Sequence, residues 1–104
     1  MEKMKVIIRR EYNPYWKEWG YLAAFPEASA YPGRILCLPF RFLDDGTAIF
    51  EAHDEVNMDY YYAKKLVHAK TDEAEKCRVA ISAYYNSMPG ENISLQVVEK
   101  IGRR

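Results

Sequence analysis

His53, Asp54 and Glu55 stand side by side in this chain, with Asp59 close behind and a second histidine at His68. Histidine and carboxylate ligate many divalent metals, and histidine is also the commonest general base. A metal site needs its donors to converge. Successive residues of a strand point to opposite faces, so the His53-Asp54-Glu55 triplet cannot supply three ligands by itself. His68 or Asp44 would have to arrive from elsewhere. The simpler expectation is a solvated loop in which His53 hydrogen-bonds locally. A nucleophilic reaction would need a Cys or Ser beside the histidine. Cys37 and Cys77 fall in apolar patterns, where a thiol stays protonated and unreactive. The GxSxG, P-loop, GxGxxG and HExxH patterns do not occur. The sequence therefore leans away from an enzyme and calls for no cofactor. A small hydrolase or metal protein centred on His53, with Asp54, Glu55 and His68, is the minor alternative.

Two aromatic clusters suit binding better than bond-making. Tyr12, Tyr15, Trp16, Trp19 and Tyr21 fall within ten residues around Asn13-Pro14. Trp and Tyr most often anchor protein interfaces, and exposed together they form an unusual patch for a monomer. Tyr15, Trp16 and Trp19, joined by Tyr31 from the EASAYPG loop, are the expected protein-binding or self-association surface. The structural alternative is that both tryptophans fold back onto the sheet. A concave version would hold a small planar ligand.

The second cluster is MDYYYAKKLVHAK, residues 58–70. Tyrosines that stack bases and lysines that neutralise phosphates suit single-stranded nucleic acid. On a strand, however, Tyr60, Tyr62 and Lys64 share one face, whereas Tyr61 and Lys65 take the other. The apparent platform divides. A nucleic-acid face of Arg41, Tyr60, Tyr62 and Lys64 is the second function reading. Fifteen basic residues balance fifteen acidic ones, so no global field draws in nucleic acid or an anionic membrane.

The elements that position these residues follow from periodicity and breakers. Lys5–Tyr12 reads as a strand, broken by Asn13-Pro14. Tyr21–Phe25 is a second strand, ended by Pro26. Pro32-Gly33 marks a turn into a third, Arg34–Leu43, whose Pro39 predicts an edge position or a bulge. Asp44-Asp45-Gly46 signals a hairpin into Thr47–Ala52. HDEVN, residues 53–57, reads as loop, and the tyrosine run as strand in preference to helix. Thr71 is a good N-cap, with Asp72 and Glu73 at the positive end of the helix dipole. Ala74, Cys77, Ile81, Tyr84, Tyr85 and Met88 then recur at spacings of three and four, predicting an amphipathic helix over about 72–88. Asn92–Ile101 is the last strand.

The order of Phe25-Pro26-Glu27, the Cys37 strand, His53, Asp59-Tyr60-Tyr61, Ala69-x-Thr71 and LQVVEKI at 95–101 carries a resemblance. The chain resembles a family of small uncharacterised bacterial proteins, often carried on phages and other mobile elements. The likeness runs from Lys5 to Ile101. It departs in the longer, more aromatic YNPYWKEW loop and in a helix start, AKT, that lacks a preceding proline. The resemblance implies the strand reading of the tyrosine run and a mobile-element origin, and it brings no activity.

The 104 residues are expected to form one α+β domain. Its expected core is a mostly antiparallel sheet of five to six strands, with one helix before the last strand. Val6–Ile8 is too short an apolar run for a signal peptide, and no stretch approaches the roughly 20 apolar residues of a membrane span. A cytoplasmic protein with reduced thiols is expected. Its expected partner is another protein or a second copy of itself. Nucleic acid is the less favoured partner, and no membrane is expected.

Overall fold

The computed structural model describes residues 4–13, 17–28, 32–57, 67–68, 71–90 and 93–98. Three long strands form its centre: β1 (Met4–Asn13), β2 (Glu18–Phe25) and β3 (Arg34–Phe42), each antiparallel to the next. The free edge of β3 is shared by two short strands, β4 (Ala48–Phe50) beside Phe40–Phe42 and β5 (Asp54–Asn57) beside Arg34–Cys37. Beyond β1 lies β6 (Val67–His68), antiparallel to it. After the helix α1 (Thr71–Asn86), β7 (Leu95–Val97) runs parallel to β1 at Met4–Val6. The α+β reading holds, and the sheet is mixed, not purely antiparallel. Asn86 closes the return from the helix. Its side chain donates to the Ile93 carbonyl at 3.3 Å and accepts from the Ile93 N–H at 2.8 Å, as a strand neighbour would.

Register sorts the side chains into two layers. Ile8, Ala23 and Leu38 form one rung across β1–β2–β3, and Ile7, Ala24 and Cys37 form the adjacent rung. Because the side-chain period is two, the rungs face opposite ways. The first rung, with Val6, Phe25 and Phe40, packs against Cys77 and Ile81 of α1 and Leu95 of β7. The second forms a separate buried cluster with Leu22 and Ile35, flanked by Val56 and Val98. The central strands are thus buried on both faces. This is why VII, LAAF and ILCL are apolar without a break. Both cysteines are buried and free, one in each layer, so the sheet separates them.

Several expectations change in detail. HDEVN is not all loop, since Asp54–Asn57 pairs with β3. Its polar character fits a short edge strand with exposed ends. Pro39 lies on a strand paired on both sides, so it is not at an edge, but the outer ladder beside it takes one extra residue, with Cys37 opposite Asp54 and Phe40 opposite Phe50, as a bulge does. Its carbonyl accepts from the Glu51 N–H at 2.8 Å, which aims its nitrogen toward the same edge. That edge is where the ladder passes from β5 to β4, so the missing donor falls in a gap. Of the tyrosine run only Val67 and His68 lie within the described residues, where they pair with Arg10 and Arg9.

Gly20 is a further constraint. A β-carbon there would sit 2.9 Å from the Phe40 carbonyl oxygen and 3.4 Å from the Arg41 β-carbon. Both belong to β3, so the sheet would have to open to admit it. Gly20→Ala is expected to cost about 1–3 kcal/mol. At roughly 4–8 °C per kcal/mol this is a clear fall in melting temperature, and an unchanged melting curve would contradict the close approach.

Burial pushes the Cys77 thiol from its ordinary 9.0 up to about 12, with the Glu73 carboxylate adding to the effect and Lys76 opposing it. The folded state therefore favours the neutral thiol. Its contribution to stability is intact below the unfolded value and is lost as pH rises toward the folded one. Chemical denaturation should show stability falling from about pH 9 upward, and Cys77→Ala should flatten that fall between 9.0 and 10.0, before tyrosine ionises.

Candidate functional site

The β1–β2 hairpin extends past the helix, and its far end carries the exposed aromatic surface. The register places Tyr12 opposite Trp19. Their rings meet edge to face, with centroids 5.7 Å apart and planes at 71°. The Arg10 guanidinium lies 5.0 Å from the Trp19 ring centre, within reach of a cation–π contact. By strand alternation Arg10 and Tyr12 share the face of Val6 and Ile8, and Trp19 and Tyr21 share that of Ala23 and Phe25. This is the helix-covered face. The helix ends before the rings do, leaving Tyr12 46% and Trp19 52% exposed.

The first turn of α1 fixes this surface from below. The Tyr21 hydroxyl donates to Glu73 Oε2 at 2.9 Å, and the same oxygen lies 4.0 Å from Arg10 Nε. Burial, reinforced by the hydrogen bond to Glu73, raises the Tyr21 phenol far above its usual range, so it stays a donor. Tyr21 also stacks on Phe40 at 5.5 Å. Glu73 therefore connects a half-buried tyrosine to the cation under Trp19. The ion pair is long and partly exposed, worth at most about 1 kcal/mol. Its role is to hold Arg10 in place.

Of the four residues expected to bind a partner, Trp19 is on this surface, while Tyr15, Trp16 and Tyr31 lie outside the described residues. Arg41 lies on the opposite face of the sheet, where its guanidinium pairs with the Glu18 carboxylate. Its charge is thus compensated locally. Tyr60, Tyr62 and Lys64, the rest of the nucleic-acid reading, lie outside the described residues. His53 is exposed just before β5, and its Nε2 is hydrogen-bonded to the Tyr85 hydroxyl of α1. Asp54 and Glu55 sit next to it on β5, opposite Cys37 and Leu36. Among the described residues no three His, Cys, Asp or Glu side chains are grouped to hold a metal. The His68 side chain lies outside them. Cys37 belongs to the layer facing away from Tyr85, so it does not serve His53 as a nucleophile.

Arg10, Glu73 and Tyr85 were not singled out in the sequence as site residues. Tyr12 and Trp19 belong to the aromatic cluster that the sequence shows around Asn13-Pro14, and the β1–β2 register decides that they face each other. Arg10 and Glu73 are 63 positions apart by their numbers, and nothing short of the helix position relates them. Among the described residues the surface supplies apolar ring area, a fixed cation and mixed charge at its rim. Replacing Glu73 by Ala should cost about 1–2 kcal/mol through the unpaired Tyr21 hydroxyl. In a Trp16→Phe background the fluorescence reports Trp19 alone, since the chain has two tryptophans. Glu73→Ala should then make that emission easier to quench with acrylamide, and an identical quenching constant would show that Glu73 does not hold Trp19.

Comparisons with family models, with curated proteins and with solved structures gave no match to this chain.

Proposed function

We propose that this chain is a non-enzymatic accessory protein that associates with a second copy of itself through the end of the β1–β2 hairpin. The resemblance noted above favours a phage or mobile-element setting. One observation carries the reading: Trp19 and Tyr12 are about half exposed, yet their geometry is held by Arg10 and by Glu73 beneath it. Immobilised aromatic rings lose little freedom on binding, which is why they dominate interface energetics.

A second copy is the favoured occupant for two reasons. The charges beside the rings carry both signs, Arg10 against Trp19 and Glu73 next to it, so a two-fold partner can set each charge against its opposite. The formal net charge is zero, so copies do not repel one another. Among the described residues no helix is long and apolar enough to cross a membrane.

Sedimentation analysis should show twice the chain mass at tens of micromolar. Trp19→Ala should leave the circular dichroism unchanged and weaken association by at least tenfold, the usual effect of removing a central aromatic anchor. A monomeric wild type, or an unchanged dimer in Trp19→Ala, would reject the proposal.

A further inference from the structure

Two residues that the hairpin surface does not use, Phe25 of the Phe25-Pro26-Glu27 motif and His53, meet at one cavity. Its volume is about 390 Å³, within the ~300–1,000 Å³ range of small-molecule sites. The described residues lining it come from the helix-covered side of the sheet and from the helix: Met4 of β1, Phe25 and Ala28 at the end of β2, Leu36 of β3, His53 before β5, Tyr85 of α1 and Ile93 before β7. Phe25 is fully buried and meets the Tyr85 ring edge-on at 5.9 Å, so the two rings form a rigid apolar corner. The turn after β2 is closed by the Ala28 N–H donating to the Phe25 carbonyl at 3.2 Å, which sets Ala28 at the rim. The Asn86 clasp fixes Ile93 on the other side. Among the described lining residues polar chemistry enters at one point, the hydrogen-bonded His53–Tyr85 pair.

From this arrangement we infer that the cavity binds a small, uncharged, flat apolar molecule carrying one hydroxyl group, which hydrogen-bonds to the His53–Tyr85 pair. The walls select the apolar body. No Lys, Arg, Asp or Glu is among the described lining residues, so a charged ligand would lose its hydration without gaining a counter-charge. A hydroxyl both donates and accepts, so it fits the pair whichever ring atom of His53 carries the proton. This site lies at the opposite end of the helix from Trp19 and is independent of self-association.

The test uses the full chain and two probes, 2-naphthol and naphthalene, which share a body and differ in the hydroxyl. In ¹H–¹⁵N spectra, 2-naphthol should shift the amides of Phe25, Ala28, Leu36 and Ile93. Tyr85→Phe keeps the ring against Phe25 and removes its hydroxyl. It should weaken 2-naphthol about 3- to 10-fold, the effect of one hydrogen bond, and leave naphthalene within twofold. Ala28→Trp should block both probes by filling the rim. Absence of shifts at 1 mM 2-naphthol (roughly the weakest affinity of interest), shifts confined to other residues, or equal losses for both probes would each overturn the inference.

Discussion

The side chain of Phe40 is the contact on which the helix-covered layer depends. It is fully buried and lies against Tyr21 at 5.5 Å, Phe42 at 5.9 Å and Phe50 at 5.1 Å. Phe50 in turn stacks on Tyr84 of the helix at 4.2 Å, and Tyr84 meets Tyr85 at 5.3 Å. A continuous aromatic seam therefore runs under α1 from the hairpin to the His53 corner. Each such pair adds about 0.5–1.5 kcal/mol beyond the area it buries. The seam joins β2, β3, β4 and the helix, so the position of the helix is set by rings on three strands at once.

That position divides the sheet surface into covered and uncovered parts. A helix of 16 residues spans about 24 Å, whereas a ten-residue strand such as β1 spans about 33 Å. A helix on β1 cannot shield the whole strand. Its N-terminal turn reaches Tyr21 and Arg10 through Glu73, and its last turns carry Tyr84 and Tyr85. The rings of Tyr12 and Trp19 are left beyond one end, and the His53–Tyr85 pair closes over a cavity near the other. Both candidate surfaces follow from one short helix laid across longer strands.

Much of the architecture was legible because local rules and packing agree. The three long strands, the DDG hairpin, the start of the helix at Thr71 and the Cys77–Ile81–Tyr84 stripe follow from periodicity and breakers, and the structure has them. The DDG turn is a clear case: Gly46 takes φ 90 and donates its N–H to the Leu43 carbonyl at 2.9 Å. Where local and long-range demands differ, the reading changed. HDEVN looks like loop by composition, and its Asp54–Asn57 part becomes a strand because the β3 edge next to it has backbone groups to satisfy. Pro39 reads as an edge or bulge residue; it is internal, and its nitrogen faces the one-residue step where the outer ladder passes from β5 to β4.

By itself the sequence determined the class of fold, the face of the helix that is buried and the burial of both cysteines. These depend on residue type and on periods of two and 3.6, which are local properties. It also marked Trp19 and His53 as the residues to watch. Only the tertiary structure decided that Trp19 is exposed on a cation held by Glu73, that Cys37 and Cys77 are separated by the sheet, and that His53 reaches Tyr85. Each of these depends on where the helix lands on the sheet. That placement is set by the fit of Cys77, Ile81 and Tyr84 against Val6, Phe25, Phe40 and Phe50, a property of the packed layer as a whole and of no segment within it.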